Sequence, residues 1–93
     1  MSVAVHRKFT IDHQIGLHAR PATLLVKTAS EFEADIEIVF KEKKGNAKSL
    51  LSILGLGVKK YDQITIQIQG ADEEFAMEAI SNLITNNFYE PAA

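Results

Sequence analysis

The chain has 93 residues, 46% of them hydrophobic and 24% charged, which suits one small soluble globular domain over residues 1–93. It contains no cysteine, so disulfides and thiolate metal sites are excluded, and this fits a reducing cytoplasm. The formal net charge of −2 argues against general nucleic-acid binding, and no apolar stretch approaches the length of a membrane span. We therefore predict a cytoplasmic domain that neither inserts into a membrane nor binds nucleic acid.

The chain opens with a strand and a helix that are joined by a loop. Apolar residues alternate with polar ones along the strand, at Val3, Val5, Phe9 and Ile11. Arg7 interrupts this alternation, so the strand either bulges there or places Arg7 near an edge of the sheet. The loop 12–16 leads to a helix over 19–30, because apolar residues then recur every three or four positions. The apolar stripe that starts in this helix comprises Ala22, Leu25, Val26, Ala29 and Phe32.

A hairpin follows the first helix. Two isoleucines and a phenylalanine alternate with other residues and predict a strand over 36–40. Lys41 and Glu42 form the turn, and a short strand over 43–47 completes the hairpin. The lysines of this short strand suit a sheet edge, where charge discourages pairing with other chains.

A short helix connects the hairpin to the last strand. Ser49 is placed to cap a helix over 50–54, since serine at this position accepts a hydrogen bond from a free backbone amide. Gly55 and Gly57 then end the helix, because glycine readily adopts the left-handed conformation found at helix ends.

The last third of the chain contains one strand and one helix. Isoleucines alternate with polar residues over 64–69, and Asp72 is placed to cap the helix that follows. The buried stripe of that helix comprises Ala76, Ala79, Ile80, Leu83 and Ile84. Residues 91–93 form a disordered tail. The order β-α-β-β-α-β-α predicts an α+β open-faced β-sandwich, in which three helices cover one face of a four-stranded antiparallel sheet.

A glycine, a histidine and a proline mark the start of the first helix, in the segment Gly-Leu-His-Ala-Arg-Pro-Ala at 16–22. Pro21 is tolerated in the first turn because the first helical amides have no carbonyl partner. His18 therefore lies at or near the N-cap, beside the free amides of Ala19 and Arg20. Free amides, the positive end of the helix dipole and a guanidinium make an anion site. An imidazole there suggests a nucleophile that accepts a phosphoryl group and passes it on.

The segment 16–22 closely resembles the phosphorylation-site motif of HPr, the histidine-containing phosphocarrier family of the bacterial sugar phosphotransferase system. A second similar segment, Asn-Ala-Lys-Ser-Leu-Leu, lies at 46–51, with Leu56 and Gly57 beyond it. The resemblance runs from about Val3 to Phe88. It implies an HPr-like fold, and it implies that the chain is a stoichiometric carrier without a cofactor rather than an enzyme that turns over.

The resemblance also implies the roles of the residues around His18. Enzyme I, phosphorylated from phosphoenolpyruvate, transfers the group to His18, and His18 passes it to the A domain of a sugar-specific enzyme II. The ring nitrogen Nδ1 carries the phosphate. Its oxygens are held by the amides of Ala19 and Arg20 and by the Arg20 guanidinium, whose planar fork can engage two oxygens.

Ser49 has a second interpretation besides the N-cap. In some relatives the matching serine is phosphorylated by a dedicated ATP-dependent kinase, the HPr kinase/phosphorylase, so the resemblance makes Ser49 a candidate phosphoserine. Ser52 and Leu54 stand where a glycine and a methionine are usual. This departure bears on recognition by the kinase and by a transcriptional regulator more than on phosphate carriage.

The resemblance also implies that the two helices that follow His18 and Ser49 form one apolar patch that meets the partners, and exposed leucines near an active histidine are typical of an interface. Ile53 is the better core candidate in the short helix. The predicted partner-contacting residues are Ala19, Thr23, Lys27, Leu50, Leu51 and Leu54. A small interface that forms and separates quickly suits a relay, and so does a monomer.

Other functions fit the sequence less well. A nitrogen-branch or regulatory HPr paralogue would act in signalling, although the regulatory type lacks the histidine. A nucleic-acid module would need aromatic residues or a basic stripe on the open sheet face, where Glu37, Thr65 and Gln67 fall instead. A hydrolase lacks a nucleophile–base–acid set near His18. No carboxylate or cysteine spacing supports metal binding by His6 and His13, so no metal site is predicted.

Overall fold

A computed structural model describes residues 4–13 and 16–89 of the chain. The elements follow one another in the predicted order, as β1 (Val5–Thr10), α1 (Ala19–Ala29), β2 (Asp35–Phe40), β3 (Lys43–Asn46), α2 (Leu50–Leu56), β4 (Gln63–Gln69) and α3 (Glu73–Thr85). The strand position predicted for Val3 and the tail predicted for 91–93 lie outside the described residues. No helix of the described ranges is long and apolar enough to cross a membrane.

The four strands form one antiparallel sheet in the spatial order β1-β4-β2-β3. The isoleucines of β2 and β4 lie opposite one another, with Ile36 facing Ile68 and Ile38 facing Ile66. Each of these four side chains is at most 2% exposed, while the alternate positions of both strands are exposed or half-buried. The alternation in the sequence therefore divides the sheet into a buried face and an open one.

Arg7 stays in register in β1, opposite Ile66 of β4, so the strand does not bulge there. Strand β1 is an edge of the sheet, which is the second of the two predicted interpretations of Arg7. The Arg7 guanidinium reaches α3, where Nη1 donates a hydrogen bond to Ser81 Oγ at 2.9 Å. Arg7 is itself exposed, so its position in β1 buries no unpaired charge.

The buried stripe predicted for α3 is partly wrong. Ala79 and Leu83 are only half-buried, and Met77 and Ser81 are buried instead, beside the correctly predicted Ala76, Ile80 and Ile84. Helix α3 packs against β1 and β4, and the bond from Arg7 to Ser81 brings that side of the helix toward β1.

Helix α2 is longer than the predicted 50–54, because it continues to Leu56. Gly55 lies inside the helix, and only Gly57 ends it, with φ 70° in the left-handed region. The additional residues are stabilised by burial, since the Leu56 side chain is 4% exposed and lies over Gly45 of β3.

Asp72 is the N-cap residue of α3 by position, but the predicted capping bond is wrong because its side chain makes none with the helix. The carboxylate instead accepts hydrogen bonds from the amides of Glu33 and Ala34, both at 2.9 Å. The backbone is close enough for this because Gly70 has no side chain. A Cβ there would lie 2.6 Å from the Ala34 Cα. Asp72 therefore ties the start of α3 to the segment after α1.

The free energy of unfolding is expected to depend on the ionisation of Asp72. The Glu33 amide, followed by the Ala34 amide, holds the pKa of this carboxyl below its ordinary value of 3.8. A lowered pKa in the folded state gives stability that is present above the unfolded value and is lost as the pH falls through the folded value. Asp72→Asn should lower stability at neutral pH and flatten its decline below about pH 4, as measured by urea unfolding.

The matched control is Glu78→Gln, which removes an exposed carboxylate from the same helix. This variant should keep the acid dependence of the wild-type protein. An equally steep decline in Asp72→Asn would contradict the role given to the Asp72 carboxylate.

Candidate functional site

His18 is the N-cap residue of α1, with an extended backbone at φ −129° and ψ 165°. Its carbonyl accepts the first helical hydrogen bond, from the amide of Ala22 at 3.4 Å. Its side chain makes no capping hydrogen bond and is exposed. The backbone of His18 therefore starts the helix, while its imidazole is exposed and takes no part in capping.

The first turn of α1 leaves backbone donors beside this imidazole. Among the described residues, no carbonyl accepts a hydrogen bond from the amide of Ala19 or Arg20. Pro21 has no amide hydrogen, and Arg20 is exposed. Two unpaired amides at the positive end of a helix dipole, with a guanidinium next to them, can bind the oxygens of an anion.

Ala19 has a strained backbone, with φ 33°. Positive φ values are uncommon for residues other than glycine and persist only where the surrounding structure enforces them. The Ala19 carbonyl accepts a hydrogen bond from Thr23 Oγ1 at 3.0 Å. The sequence shows no sign of this strain, because alanine itself has no preference for the left-handed region.

The chain reaches His18 along a tightly packed backbone. Gly16 has φ 68°, and a Cβ at this position would lie 2.4 Å from the Val58 carbonyl oxygen. The next amide, that of Leu17, donates to the same carbonyl at 3.1 Å, and the Leu17 side chain is 2% exposed. The motif therefore requires glycine at position 16, because two backbones approach each other closely directly before His18.

Ser49 begins α2, and its Oγ accepts a hydrogen bond from the Ser52 amide at 3.3 Å. The N-cap interpretation of Ser49 is thus present in the structure. The preceding residue links the two helices, because Lys48 Nζ donates to the Phe32 carbonyl at 2.7 Å, just after α1. Helices α1 and α2 also pack against each other.

The predicted partner-contacting residues differ in exposure. Leu51 is 81% exposed and Leu50 39% exposed, while Leu54 is half-buried and packs against the core. Ile53 is fully buried, as predicted for the core residue of α2. The remaining three residues all lie exposed on α1, and they are Ala19, Thr23 and Lys27. Leu50 and Leu51 therefore offer most of the accessible apolar surface of α2.

In the described residues, neither metal binding nor nucleic-acid binding on the open face of the sheet gains support. The part of the chain that the structure describes holds no group of three or more histidine, cysteine, aspartate or glutamate side chains that could bind a metal ion. The His13 ring instead lies edge-on to Phe88, with 5.8 Å between ring centroids. In the described strands, the open face of the sheet carries no Phe, Tyr or Trp.

The chain is similar to known phosphocarriers over most of its length. A family model described as "PTS HPr component phosphorylation site" matches residues 5–86. The "Phosphocarrier protein HPr" of Lysinibacillus sphaericus is 42% identical over 79 residues, which are 85% of this chain and 90% of that protein.

Solved structures show the same likeness. An HPr from Thermoanaerobacter tengcongensis superposes with a TM-score of 0.90 at 40% identity, over 95% of this chain and 99% of that one. The catabolite repression protein Crh of Bacillus subtilis, described as a dimer with a swapped domain, gives 0.72 at 32% identity, over 92% of this chain and 99% of that one. The predicted α+β fold is therefore confirmed, and this chain belongs to the HPr family of phosphotransferase-system phosphocarriers.

Proposed function

We propose that this chain accepts a phosphoryl group on His18 from phosphorylated enzyme I and passes it to the A domain of a sugar-specific enzyme II. The main support is the exposed His18 imidazole, which stands at the start of α1 without a capping bond of its own. Arg20 and the unpaired amides of Ala19 and Arg20 lie next to it. These groups can hold phosphoryl oxygens while the imidazole forms the bond to phosphorus.

The proposed step is an in-line displacement at phosphorus. The unprotonated ring nitrogen of His18, Nδ1 by resemblance to the family, forms a bond to phosphorus while the bond to the donor histidine nitrogen breaks. The electron pair of the breaking bond returns to the donor ring. In the second transfer, a nucleophilic atom of the acceptor forms a bond to phosphorus while the bond to His18 breaks, and the electron pair of that bond returns to the His18 ring. Position and electrostatics supply the catalysis, so the chain is a carrier that is consumed and regenerated stoichiometrically.

We place the docking face on α1 and α2 and define it as Ala19, Thr23, Lys27, Leu50, Leu51 and Leu54. The exposed leucines Leu50 and Leu51 supply apolar contact on α2, which packs against α1. Enzyme I and the A domain of enzyme II would use this surface in turn, and the carrier would act as a monomer.

Ser49 is a candidate for regulation of this docking face. Phosphorylation by an ATP-dependent HPr kinase/phosphorylase would place negative charge beside Leu50 and Leu51, and it would also create a group that a transcriptional regulator could recognise. Ser49→Asp should therefore lower the rate of transfer from enzyme I by about tenfold, equivalent to about 1.4 kcal/mol, without a large loss of stability.

Ser49→Ala is the matched control, because it removes the cap without adding charge. Loss of the bond to the Ser52 amide should cost about 0.5–2 kcal/mol of stability, and transfer should continue at the wild-type rate. An unchanged rate in Ser49→Asp would contradict the docking role of α2.

Incubation with enzyme I and labelled phosphoenolpyruvate tests the carrier function directly. Label that is stable in base, labile in acid and located on His18 by peptide mapping is the expected result. Transfer of this label onward to a sugar-specific A domain would support the sugar branch. Label that only a nitrogen-branch acceptor receives would favour the nitrogen-branch alternative, and folded protein that takes no label would favour a regulatory paralogue such as Crh.

A further inference from the structure

The chain folds back on itself after α3 and places Phe88 in the core. Asn87 and Phe88 both have left-handed backbones, with φ 55° and 59°. The amide of Phe88 donates to the Leu83 carbonyl at 2.8 Å, and the side chain is only 4% exposed. A bulky residue rarely adopts this backbone, so its burial must offset the strain. Phe88 lies beyond the residues 5–86 that match the family model.

The Phe88 ring contacts the loop that leads to the functional site. It meets the His13 ring at 86°, with 5.8 Å between centroids, which is a favourable edge-to-face arrangement of two aromatic rings. His13 is half-buried, so this contact is partly shielded from water. The carboxyl-terminal turn and the active-site loop are therefore joined through two side chains.

A continuous set of contacts leads from His13 to His18. The His13 carbonyl accepts a hydrogen bond from the Gly16 amide at 2.9 Å. Gly16 lies against the backbone of Val58, whose carbonyl also accepts from the Leu17 amide at 3.1 Å. His18 is the next residue. His13 and Val58 therefore hold the Gly16–Leu17 backbone from two sides, directly before His18.

We propose that Phe88 is a positioning residue for phosphoryl transfer, acting through the ring of His13 to hold the active-site loop and thereby the His18 imidazole. This inference rests on the proposed carrier function of His18. Phe88 does not belong to the docking face, so it affects how His18 is presented after a partner has bound. Small displacements of a reacting group are costly in an in-line displacement, because the reacting atoms must be aligned.

Three variants test the contact in steady-state transfer from enzyme I, with the carrier as the varied substrate. Phe88→Leu keeps an apolar side chain but removes the ring, and His13→Ala removes the other ring. Both should lower kcat by roughly three- to tenfold and leave the KM for the carrier unchanged. His13→Phe keeps an aromatic ring at this position and should lower kcat less than His13→Ala does. The exchange rate of the Gly16 amide with solvent should rise in the first two variants and rise less in the third.

Ile80→Val is the control for general destabilisation, since it removes one methyl group from the buried face of α3. It should leave kcat, KM and the exchange of Gly16 unchanged. The proposal would be overturned if Phe88→Leu transferred at the wild-type kcat, if KM changed instead, or if His13→Phe lost as much of kcat as His13→Ala. Absence of label on His18 in the wild-type protein would identify a different failure, that of the carrier function itself.

Discussion

A His18→Ala variant is expected to take no phosphoryl group from enzyme I above background while remaining as stable as the wild-type protein. The imidazole is the proposed acceptor, and alanine offers no nucleophile in its place. Stability should change by less than about 0.5 kcal/mol, because the side chain is exposed and caps no helical amide. Labelling from phosphoenolpyruvate and urea unfolding of the same preparation measure the two quantities.

His6→Ala is the matched control for this experiment. His6 is also an exposed histidine, and it lies in β1 on the open face of the sheet. The His6→Ala variant should accept label on His18 at the wild-type rate. Acid-labile label that persists in His18→Ala would mean that another residue accepts the phosphoryl group.

Gly16→Ala is expected to destabilise the fold by roughly 2–6 kcal/mol, the sum of backbone strain and overpacking. The φ of 68° disfavours any side chain, and the new Cβ would lie 2.4 Å from the Val58 carbonyl oxygen. Since the obstruction is backbone, no side-chain rotation can relieve it. Urea unfolding measures the loss, and labelling under native conditions reports whether His18 is still presented.

Gly55→Ala makes the same chemical change but is expected to raise the free energy of unfolding rather than lower it. Gly55 lies inside α2, its φ is not positive, and apart from its chain neighbours and the backbone of its own helix nothing lies within 4 Å of the position that a Cβ would take. Alanine favours helix over glycine by about 0.5–1 kcal/mol, so this variant should be more stable than wild type. If both substitutions had small effects, the close approach at Gly16 would not be required for folding.

The parts of the fold that depend on short-range patterns were predictable. Alternation of apolar residues identified β1, β2 and β4, the predicted turn at Lys41 and Glu42 located β3, and Ser49 marked the start of α2. Errors occurred where a distant segment decides the outcome. Helix α2 continues past Gly55 because Leu56 is buried over β3, and the Asp72 carboxylate serves the backbone after α1 rather than its own helix. Neither partner lies near these residues in the sequence.

The candidate site also contains features that a local pattern predicts and features that distant segments or backbone strain determine. Its reactive part is contiguous, from Gly16 to Pro21, so one motif predicts the histidine, the free amides and the guanidinium together. The strain at Ala19 leaves no trace in the sequence, because alanine is common at unstrained positions as well. The contact between His13 and Phe88 joins opposite ends of the chain, and no local pattern connects two aromatic rings at that separation.

The segment just after α1 is fixed from two sides, by Lys48 Nζ on the Phe32 carbonyl and by the Asp72 carboxylate on the next two amides. One end of each helix of the proposed docking face is therefore anchored before any partner arrives. A surface that is rigid in advance loses little conformational entropy in the complex, so a few exposed side chains suffice for recognition. Such complexes can form at encounter-limited rates and still dissociate quickly. In the proposed relay, the anchor would thus favour rapid exchange between successive partners over long residence on any one of them.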